Sequence, residues 1–332
     1  MPRTIQDILT QDAARLTAAL ALDSSGARSE VQCLLQHVLS VPRAWLLAHP
    51  EYRLNEPEQT RYDELLFCRL RGEPIAYLLG EREFFGLNFK VTPATLIPRP
   101  ETELLVELAL QRCGRVAAPP PGTHRPPPCG GIPEKLPSPP TPAPRFALPL
   151  GEGGREAGRE CDFRVLDLGA GSGAIALSIA HSRPDVEVLA CDNSAAALEV
   201  ARENAQRLGI TNVAFMHSDW YGALDVQRFN LIVSNPPYVA ATDPHLAQGD
   251  LRFEPPSALI SGDDGLRDTR HIVAHARTHL EPGGWLLLEH GYDQAAQVRQ
   301  LLHQAGFSEI FSARDLAGIE RVSGGSSRLA AR

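Results

Sequence analysis

Residues 165–173 read Val-Leu-Asp-Leu-Gly-Ala-Gly-Ser-Gly. An apolar strand here runs into a glycine-rich turn, and the apolar residues 174–181 that follow are predicted to form a helix. Glycine permits positive φ angles and lets a ligand lie against the backbone. Because Ala174 also completes the dinucleotide spacing G-x-G-x-x-G/A, the stretch predicts a ligand-binding turn without deciding which ligand it binds.

Strands and helices alternate along the chain from residue 162 onward. Such alternation predicts a parallel sheet with helices on both faces, and ligands of such sheets bind beyond the carboxyl ends of the strands. The predicted strands cover residues 164–168, 186–191, 213–217, 231–234 and 285–289, with a strand pair between 307 and 322, and the predicted helices cover 174–181, 194–208 and 265–280.

Acidic and aromatic residues follow the second and third predicted strands. Asp192 ends the second strand, where a carboxylate can accept hydrogen bonds from both ribose hydroxyls of a nucleoside. The alternative for Asp192 is a helix cap together with Ser194. After the third strand, Asp219 can accept from an adenine amino group and Trp220 can stack on the ring. A loop acid and a core tryptophan are the alternative there.

The motif Asn235-Pro236-Pro237-Tyr238 stands directly after the fourth predicted strand. Two prolines stiffen the backbone, so its carbonyls and the Asn235 side chain can point into the cleft as fixed acceptors. A planar amide or amino nitrogen has two N–H donors and a delocalised, weakly nucleophilic lone pair. Acceptors for those hydrogens can align the nitrogen with a methyl sulfonium, and Tyr238 can cover the planar group. The motif therefore predicts methyl transfer to such a nitrogen.

We expect no general base in this reaction. Methyl transfer to a neutral amide nitrogen gives a cation that is very acidic. Its extra proton should therefore leave readily to water or to an acceptor already bonded to it, and catalysis rests on alignment and fixed dipoles. Four titratable residues near the motifs are the candidates against this expectation: Glu103, Glu254, His245 and His290.

The rest of the chain is divided by composition. Apolar residues at helical spacing, such as Ile5 and Ile8, predict a small N-terminal helical domain that docks the substrate, with a packing cap as the alternative. A later segment rich in proline and glycine predicts a disordered insert. The predicted divisions are residues 1–75 for the helical domain, 76–100 for a β-hairpin linker, 101–113 and 161–325 for the catalytic domain, and 114–160 for the insert.

Charge and cysteine content limit the classes of protein. The net charge of −8 argues against affinity dominated by nucleic-acid phosphates. The six cysteines form no C-x-x-C pair and no cluster with metal-ligand spacing, so free thiols and no metal are expected. Since neither a signal peptide nor a membrane span is predicted, we expect a cytoplasmic monomer.

Residues 167–173 and 235–238 resemble the Class I methyltransferases that act on amino or amide nitrogens. More narrowly, the chain resembles the peptide-chain release-factor glutamine methyltransferases. The insert and the tail after residue 322 depart from that family. The resemblance is carried further by residues 27–30, 72–77, 96–103, 249–255, 287–291 and 320–322.

The resemblance implies methyl transfer from S-adenosylmethionine to the glutamine side-chain amide in the Gly-Gly-Gln loop of release factors. It implies an α/β fold: a seven-stranded, mostly parallel Rossmann-like sheet with an antiparallel C-terminal strand, plus a small N-terminal all-α domain. When Asp219 from the loop after the third strand is included, the predicted cofactor residues are Gly169, Ala170, Gly171, Ser172, Gly173, Asp192, Asp219, Trp220 and Asn235. The predicted substrate residues are Asn235, Pro236, Pro237 and Tyr238. Three of these, Asn235, Pro236 and Tyr238, are assigned to catalysis.

Three alternatives stay open from sequence. An adenine amino-methyltransferase acting on DNA or RNA uses the same proline turn, but no target-recognition domain or basic face is evident. An NAD-dependent oxidoreductase is permitted by the glycine turn, but it leaves residues 235–238 unexplained. The third alternative is a binding protein that keeps the fold but does not catalyse a reaction. The presence of the complete set of motifs disfavours it.

Overall fold

Apolar residues at helical spacing build the N-terminal region. The computed structural model describes residues 3–114 and 163–327. Ile5 and Ile8 are buried among other apolar side chains of this region, as their spacing predicts. Hydrogen bonds between Thr4 and Asp7 form a capping box that starts the first helix. The helices are α1 (Ile5–Leu20), α2 (Ser24–Leu39), α3 (Arg43–Ala48), α4 (Glu56–Leu70) and α5 (Ile75–Leu79).

A two-stranded hairpin follows the helices. Strands β1 (Glu81–Phe84) and β2 (Leu87–Lys90) are antiparallel, and Phe85 and Gly86 have positive φ angles in the turn between them. Asn204 fixes the hairpin to the later part of the chain, because its side chain bonds both the N–H and the carbonyl of Lys90. The predicted hairpin is therefore present, and it lies beside the glycine-rich turn.

The sheet region, which follows the hairpin, is a seven-stranded sheet with helices on both sides. Its strands, in spatial order, are β5, β4, β3, β6, β7, β9 and β8, and β9 alone runs opposite to the other six. The predicted fold class is thus confirmed. The strands are β3 (Arg164–Leu168), β4 (Glu187–Asp192), β5 (Val213–His217), β6 (Phe229–Ser234), β7 (Leu280–Glu289), β8 (Ser308–Arg314) and β9 (Glu320–Ser326).

Alternate residues of the central strands pack on opposite sides of the sheet. Val165 and Leu231 face one apolar cluster, whereas Leu166 and Ile232 face the other. Both faces are covered, so these strands are apolar on both sides, as parallel strands usually are. The first cluster contains α6 (Glu103–Arg112), α7 (Ala174–Ser182) and part of α8 (Ala195–Leu208); the second contains α9 (Arg267–Ala276) and α10 (Ala295–Gln304).

The structure corrects the sequence prediction in three places. The helix predicted over residues 265–280 ends at Ala276, and Leu280 already pairs with Phe229 as the first residue of β7. Leu280 continues the apolar spacing of the helix, so the sequence predicts a helix that is too long at this end. Helix α10 was not predicted, and β9 continues to Ser326 rather than ending near residue 322.

Some predictions fall on parts of the chain that the structure does not describe. All of the predicted insert except Gly114 lies outside the described residues, and so do Cys129 and Cys161. The other four cysteines carry free thiols. Within residues 3–114 and 163–327, no helix is long and apolar enough to cross a membrane.

Candidate active site

The sheet has its topological switch point between β3 and β6. The chain passes from β3 to β4 and β5 on one side, and β6 and β7 lie on the other. Ligands of such sheets bind where the strand order reverses, beyond the carboxyl ends. A cavity of about 580 Å³ opens there. It brings together seven of the predicted site residues, namely Gly169, Gly171, Asp192, Asp219, Trp220, Asn235 and Pro237.

The glycine turn has the backbone geometry that its sequence predicts. Gly169, Gly171 and Gly173 have φ angles of 78°, 55° and 82°, which favour glycine over other residues. A Cβ at Gly173 would lie 3.0 Å from a Leu177 side-chain carbon and 3.2 Å from that of Ala201. Glycine at 173 therefore permits close approach of the helices behind the turn.

The turn is also held from outside. The N–H groups of Gly169 and Ala170 both donate to the Cys191 carbonyl over 2.9 Å. The Asn204 side chain donates to the carbonyl of Ser172, and both residues are buried. The cavity-facing backbone is thus fixed by its neighbours before any ligand binds.

Asp192 lies at the end of β4 and lines the cavity. Its two carboxylate oxygens accept hydrogen bonds from the N–H groups of Gly171 and Ser194, each over 2.8 Å. Burial raises the pKa of this carboxyl, while the same backbone bonds lower it. The N-cap of α8 is Ser194, whose hydroxyl accepts from Ala197. Asp192 therefore does not cap the helix with its side chain, and its carboxylate keeps lone pairs for a ligand.

Asp219 and Trp220 lie on the same cavity wall. Trp220 has a φ of 48°, an uncommon angle for a large side chain. The Ser218 hydroxyl donates to the Trp220 carbonyl over 2.8 Å and stabilises this turn. The indole ring lies over Gly169, 3.7 Å from the position of a Cβ built there. A half-buried aromatic ring that lines the cavity beside the glycine turn suits a flat ring of the ligand.

The Asn-Pro-Pro-Tyr turn closes the other side of the cavity. Asn235 and Pro237 line it, Pro236 is buried and Tyr238 is half-buried. The Ser234 hydroxyl donates to the Leu168 carbonyl over 2.6 Å. This bond joins the end of β6 to the end of β3, so the turn is fixed relative to the glycine turn.

The segment after the turn is fixed as well. The Gln294 side chain donates to the Tyr238 carbonyl over 3.0 Å. A Cβ at Gly265 would lie only 2.3 Å from that same carbonyl oxygen, and Gly265 has a φ of 72°. The chain therefore needs glycine at 265 to let the turn take its position.

Sequence reasoning missed Thr102 and Glu289. The Asn235 side-chain nitrogen donates to the Thr102 hydroxyl over 3.2 Å. Glu289 ends β7 and is only 2% exposed. Burial raises the pKa of its carboxyl to about 7, although contacts with Thr102 and Asn235 and the charge of Arg321 lower it. An acid at the end of an apolar strand, as in Asp192, was the one available signal for Glu289.

The four candidate bases occupy structural positions. None is among the residues that line the described cavity. Glu103 accepts from the Phe85 N–H, Glu254 accepts from Ile97 and Arg99, His245 contacts Asp243, and His290 contacts Ser323 and Gly291.

Arg69 of α4 connects the N-terminal helices to the sheet region. This buried guanidinium bonds Glu30 in α2 and also reaches Asp250 over 3.1 Å. A few residues later, Glu254 holds Ile97 and Arg99. The helices are thereby connected to the two segments, 96–99 and 249–255, that flank the cavity.

The sheet has this strand order, a glycine turn after its first strand, an acid after its second and Asn-Pro-Pro-Tyr after its fourth. Together these features define a Class I methyltransferase. Comparison with known proteins agrees: residues 158–250 match the methyltransferase small domain, and residues 7–80 match the PrmC N-terminal domain. These matches decide against the oxidoreductase alternative.

Similar full-length proteins give the family. The release factor glutamine methyltransferase of Xylella fastidiosa is 47% identical over 298 residues, which cover 90% of this chain and 92% of that one. The Burkholderia pseudomallei protein of the same name is 47% identical over 319 residues, 94% of this chain and 95% of that one. A Thermus thermophilus 16S rRNA methyltransferase structure has 19% identity and a TM-score of 0.46, covering 75% of this chain and 50% of that one. The chain belongs to the release factor glutamine methyltransferase family.

Proposed function

We propose that the protein transfers a methyl group from S-adenosylmethionine to the side-chain amide nitrogen of the glutamine in the Gly-Gly-Gln motif of peptide-chain release factors. The observation that carries this proposal is the shared cavity. Its walls include the glycine turn, Asp192 and Trp220 on one side and Asn235 with Pro237 on the other. A nucleoside-containing donor and a planar nitrogen acceptor can therefore meet in one cavity.

The residues present fit S-adenosylmethionine. Asp192 would accept the ribose hydroxyls, Trp220 would lie against the adenine, and Asp219 would accept from its amino group. The glycine turn would lie against the amino-acid part of the cofactor. The bound cofactor supplies a methyl group activated on a sulfonium. The protein's own contribution is to hold that group still and to exclude water from it.

The acceptor side fits an amide. A glutamine amide has two N–H donors and a lone pair that is delocalised into its carbonyl. The Asn235 side-chain oxygen and the carbonyls of the proline turn would accept those two hydrogens. As positive charge develops on the nitrogen, these fixed dipoles stabilise it more than they stabilise the neutral amide. Tyr238 would cover the flat group.

Mass spectrometry of intact release factors after incubation with the enzyme and S-adenosylmethionine tests the proposal. We expect one added methyl group, on the glutamine of Gly-Gly-Gln. A release factor with that glutamine replaced by alanine is the substrate control and should gain no mass. Methylation of adenine in DNA or RNA, with release factors unchanged, would overturn the proposal in favour of the adenine amino-methyltransferase. The net charge of −8 argues against that result.

A further inference from the structure

A buried polar contact joins the start of α6 to the ends of β6 and β7. Thr102 is 4% exposed and Glu289 is 2% exposed. The Asn235 side-chain nitrogen donates to the Thr102 hydroxyl over 3.2 Å. Glu289 lies near both side chains, since hydrogen bonding by Thr102 and by Asn235 lowers the pKa of its carboxyl. Its second oxygen, Oε2, is buried and has no partner among the described residues.

This contact determines which way the Asn235 amide faces. The amide nitrogen has two hydrogens to donate, and its oxygen only accepts. The nitrogen is directed at the hydroxyl of Thr102, on the side where the Glu289 carboxyl also interacts with both side chains. No donor in the described part of the chain bonds Asn235 Oδ1, and Asn235 lines the cavity. A flipped amide would place that oxygen against a carboxylate, which is repulsive in a buried setting.

We propose that Glu289 and Thr102 are positioning residues, which hold the Asn235 nitrogen toward the protein and its oxygen toward the substrate. The inference rests on the proposed function for the identity of that substrate. It also explains the position of the Pro-Glu-Thr sequence at 100–102, because Thr102 brings its hydroxyl to the end of β6, where the acceptor turn begins.

The arrangement is sensitive to protonation of Glu289. Burial raises the pKa of this carboxyl to about 7, the neighbouring charge of Arg321 lowers it, and Glu101 raises it. Tyr238 also interacts with it: burial raises the Tyr238 pKa, and the negative charge of Glu289 raises it further. A protonated Glu289 is itself a donor, so it tolerates the flipped amide. The productive orientation of Asn235 should therefore be lost as the pH falls through the pKa of Glu289.

Nitrogen NMR of the Asn235 side chain tests the inference without any substrate. The signal is assigned in the ¹⁵N-labelled full chain by its absence in Asn235→Ala. Between about pH 6 and pH 8, we expect its shift to titrate in the wild type and to stay constant in Glu289→Gln. A wild-type signal that does not titrate, or the same titration in both proteins, overturns the inference.

Turnover of a release factor provides the second test, with Thr102→Val and Thr102→Ser as a matched pair. Valine keeps the shape without the hydroxyl, so we expect a loss of about tenfold or more in kcat, whereas serine should stay within about threefold of the wild type. Affinity for the cofactor should change in neither. Equal turnover of the two variants overturns the inference. If the wild type methylates no release factor, the proposed function fails, while the NMR result still decides the positioning role.

Discussion

The Asp192 carboxylate accepts a hydrogen bond from the backbone N–H of Gly171 over 2.8 Å. This bond runs from the end of β4 to the turn that follows β3. The residue that would bind the ribose therefore also holds the loop that would bind the rest of the cofactor. Binding of the two parts of the cofactor is expected to be coupled through this one side chain.

Replacing Asp192 by alanine should weaken binding of S-adenosylmethionine by about 1.5–3 kcal/mol, the scale of hydrogen bonds to a charged group. Turnover at saturating cofactor should change less, because the acceptor turn is not touched. Titration calorimetry measures the affinity, and Asp293→Ala, outside the cavity lining, is the control. Unchanged affinity in Asp192→Ala would show that the carboxylate has only a structural role.

Replacing Asn235 by alanine should reduce turnover by roughly 10²-fold or more, as removal of one preorganised transition-state contact does. The fold should survive, since Asn235 lines the cavity and is not part of the apolar core. Initial rates with saturating cofactor and release factor measure the effect. Turnover close to that of the wild type would contradict the assignment of Asn235 to the acceptor pocket.

Replacing Asp167 by asparagine should remove a pH dependence of stability. Burial raises the pKa of Asp167 to about 7 from its ordinary value of 3.8, and the Asp192 charge adds to this, while a bond from Ala176 lowers it. The folded state thus holds the proton more tightly than the unfolded state. The resulting stability is present below the unfolded pKa and is lost as the pH rises toward 7.

Asparagine does not titrate. Between about pH 4 and pH 7, the free energy of unfolding of the variant should therefore rise relative to that of the wild type by roughly 1–4 kcal/mol. Urea denaturation of both proteins without cofactor, at several pH values, measures this difference. Comparing the two proteins cancels the titration of all shared groups. A difference that is the same at every pH would mean that Asp167 ionises normally in the folded state.

Replacing any of the four candidate bases by glutamine should leave both limbs of the pH–rate profile in place. These side chains bond other parts of the chain, which indicates structural roles. Glu103, for example, accepts a hydrogen bond from the Phe85 N–H over 2.9 Å. Rates and affinities can fall if those bonds matter for folding. The pH dependence of kcat is the readout. Loss of one limb, with substrate still bound, would identify an essential base and refute catalysis by positioning alone.

The sequence predicted that the glycine turn, Asp192 and Trp220 lie together because these residues follow successive strands. Gly171, Asp192 and Trp220 come at or just after the ends of β3, β4 and β5. Parallel strands end at one edge, so residues far apart in sequence meet there without further information. The Asn-Pro-Pro-Tyr turn obeys the same rule, and its composition is specific enough to indicate the chemistry.

Thr102 and Glu289 were harder to find. Thr102 precedes a helix rather than following a strand, and its position over the end of β6 depends on how α6 packs on the sheet. Glu289 does end a strand, but its contacts with Thr102 and Asn235 depend on that same packing. Helix α10 is a different case. Its buried residues Ala295, Val298 and Leu302 recur at the spacing of one helix face, so its sequence carries a helical signal that the prediction did not use.

The anchoring of α6 has a consequence for engineering. The Arg183 guanidinium donates to the carbonyls of Cys113 and Gly114, both over 2.8 Å, so the end of the helix is fixed at the last described residues before 163. A gene divided there would give one fragment with Thr102 and another with Asn235 and Glu289. We expect the two fragments, residues 1–114 and 163–332, to be inactive alone and to regain methyl transfer when interacting partners fused to the new ends bring them together, so that methyl transfer would report the interaction of those partners.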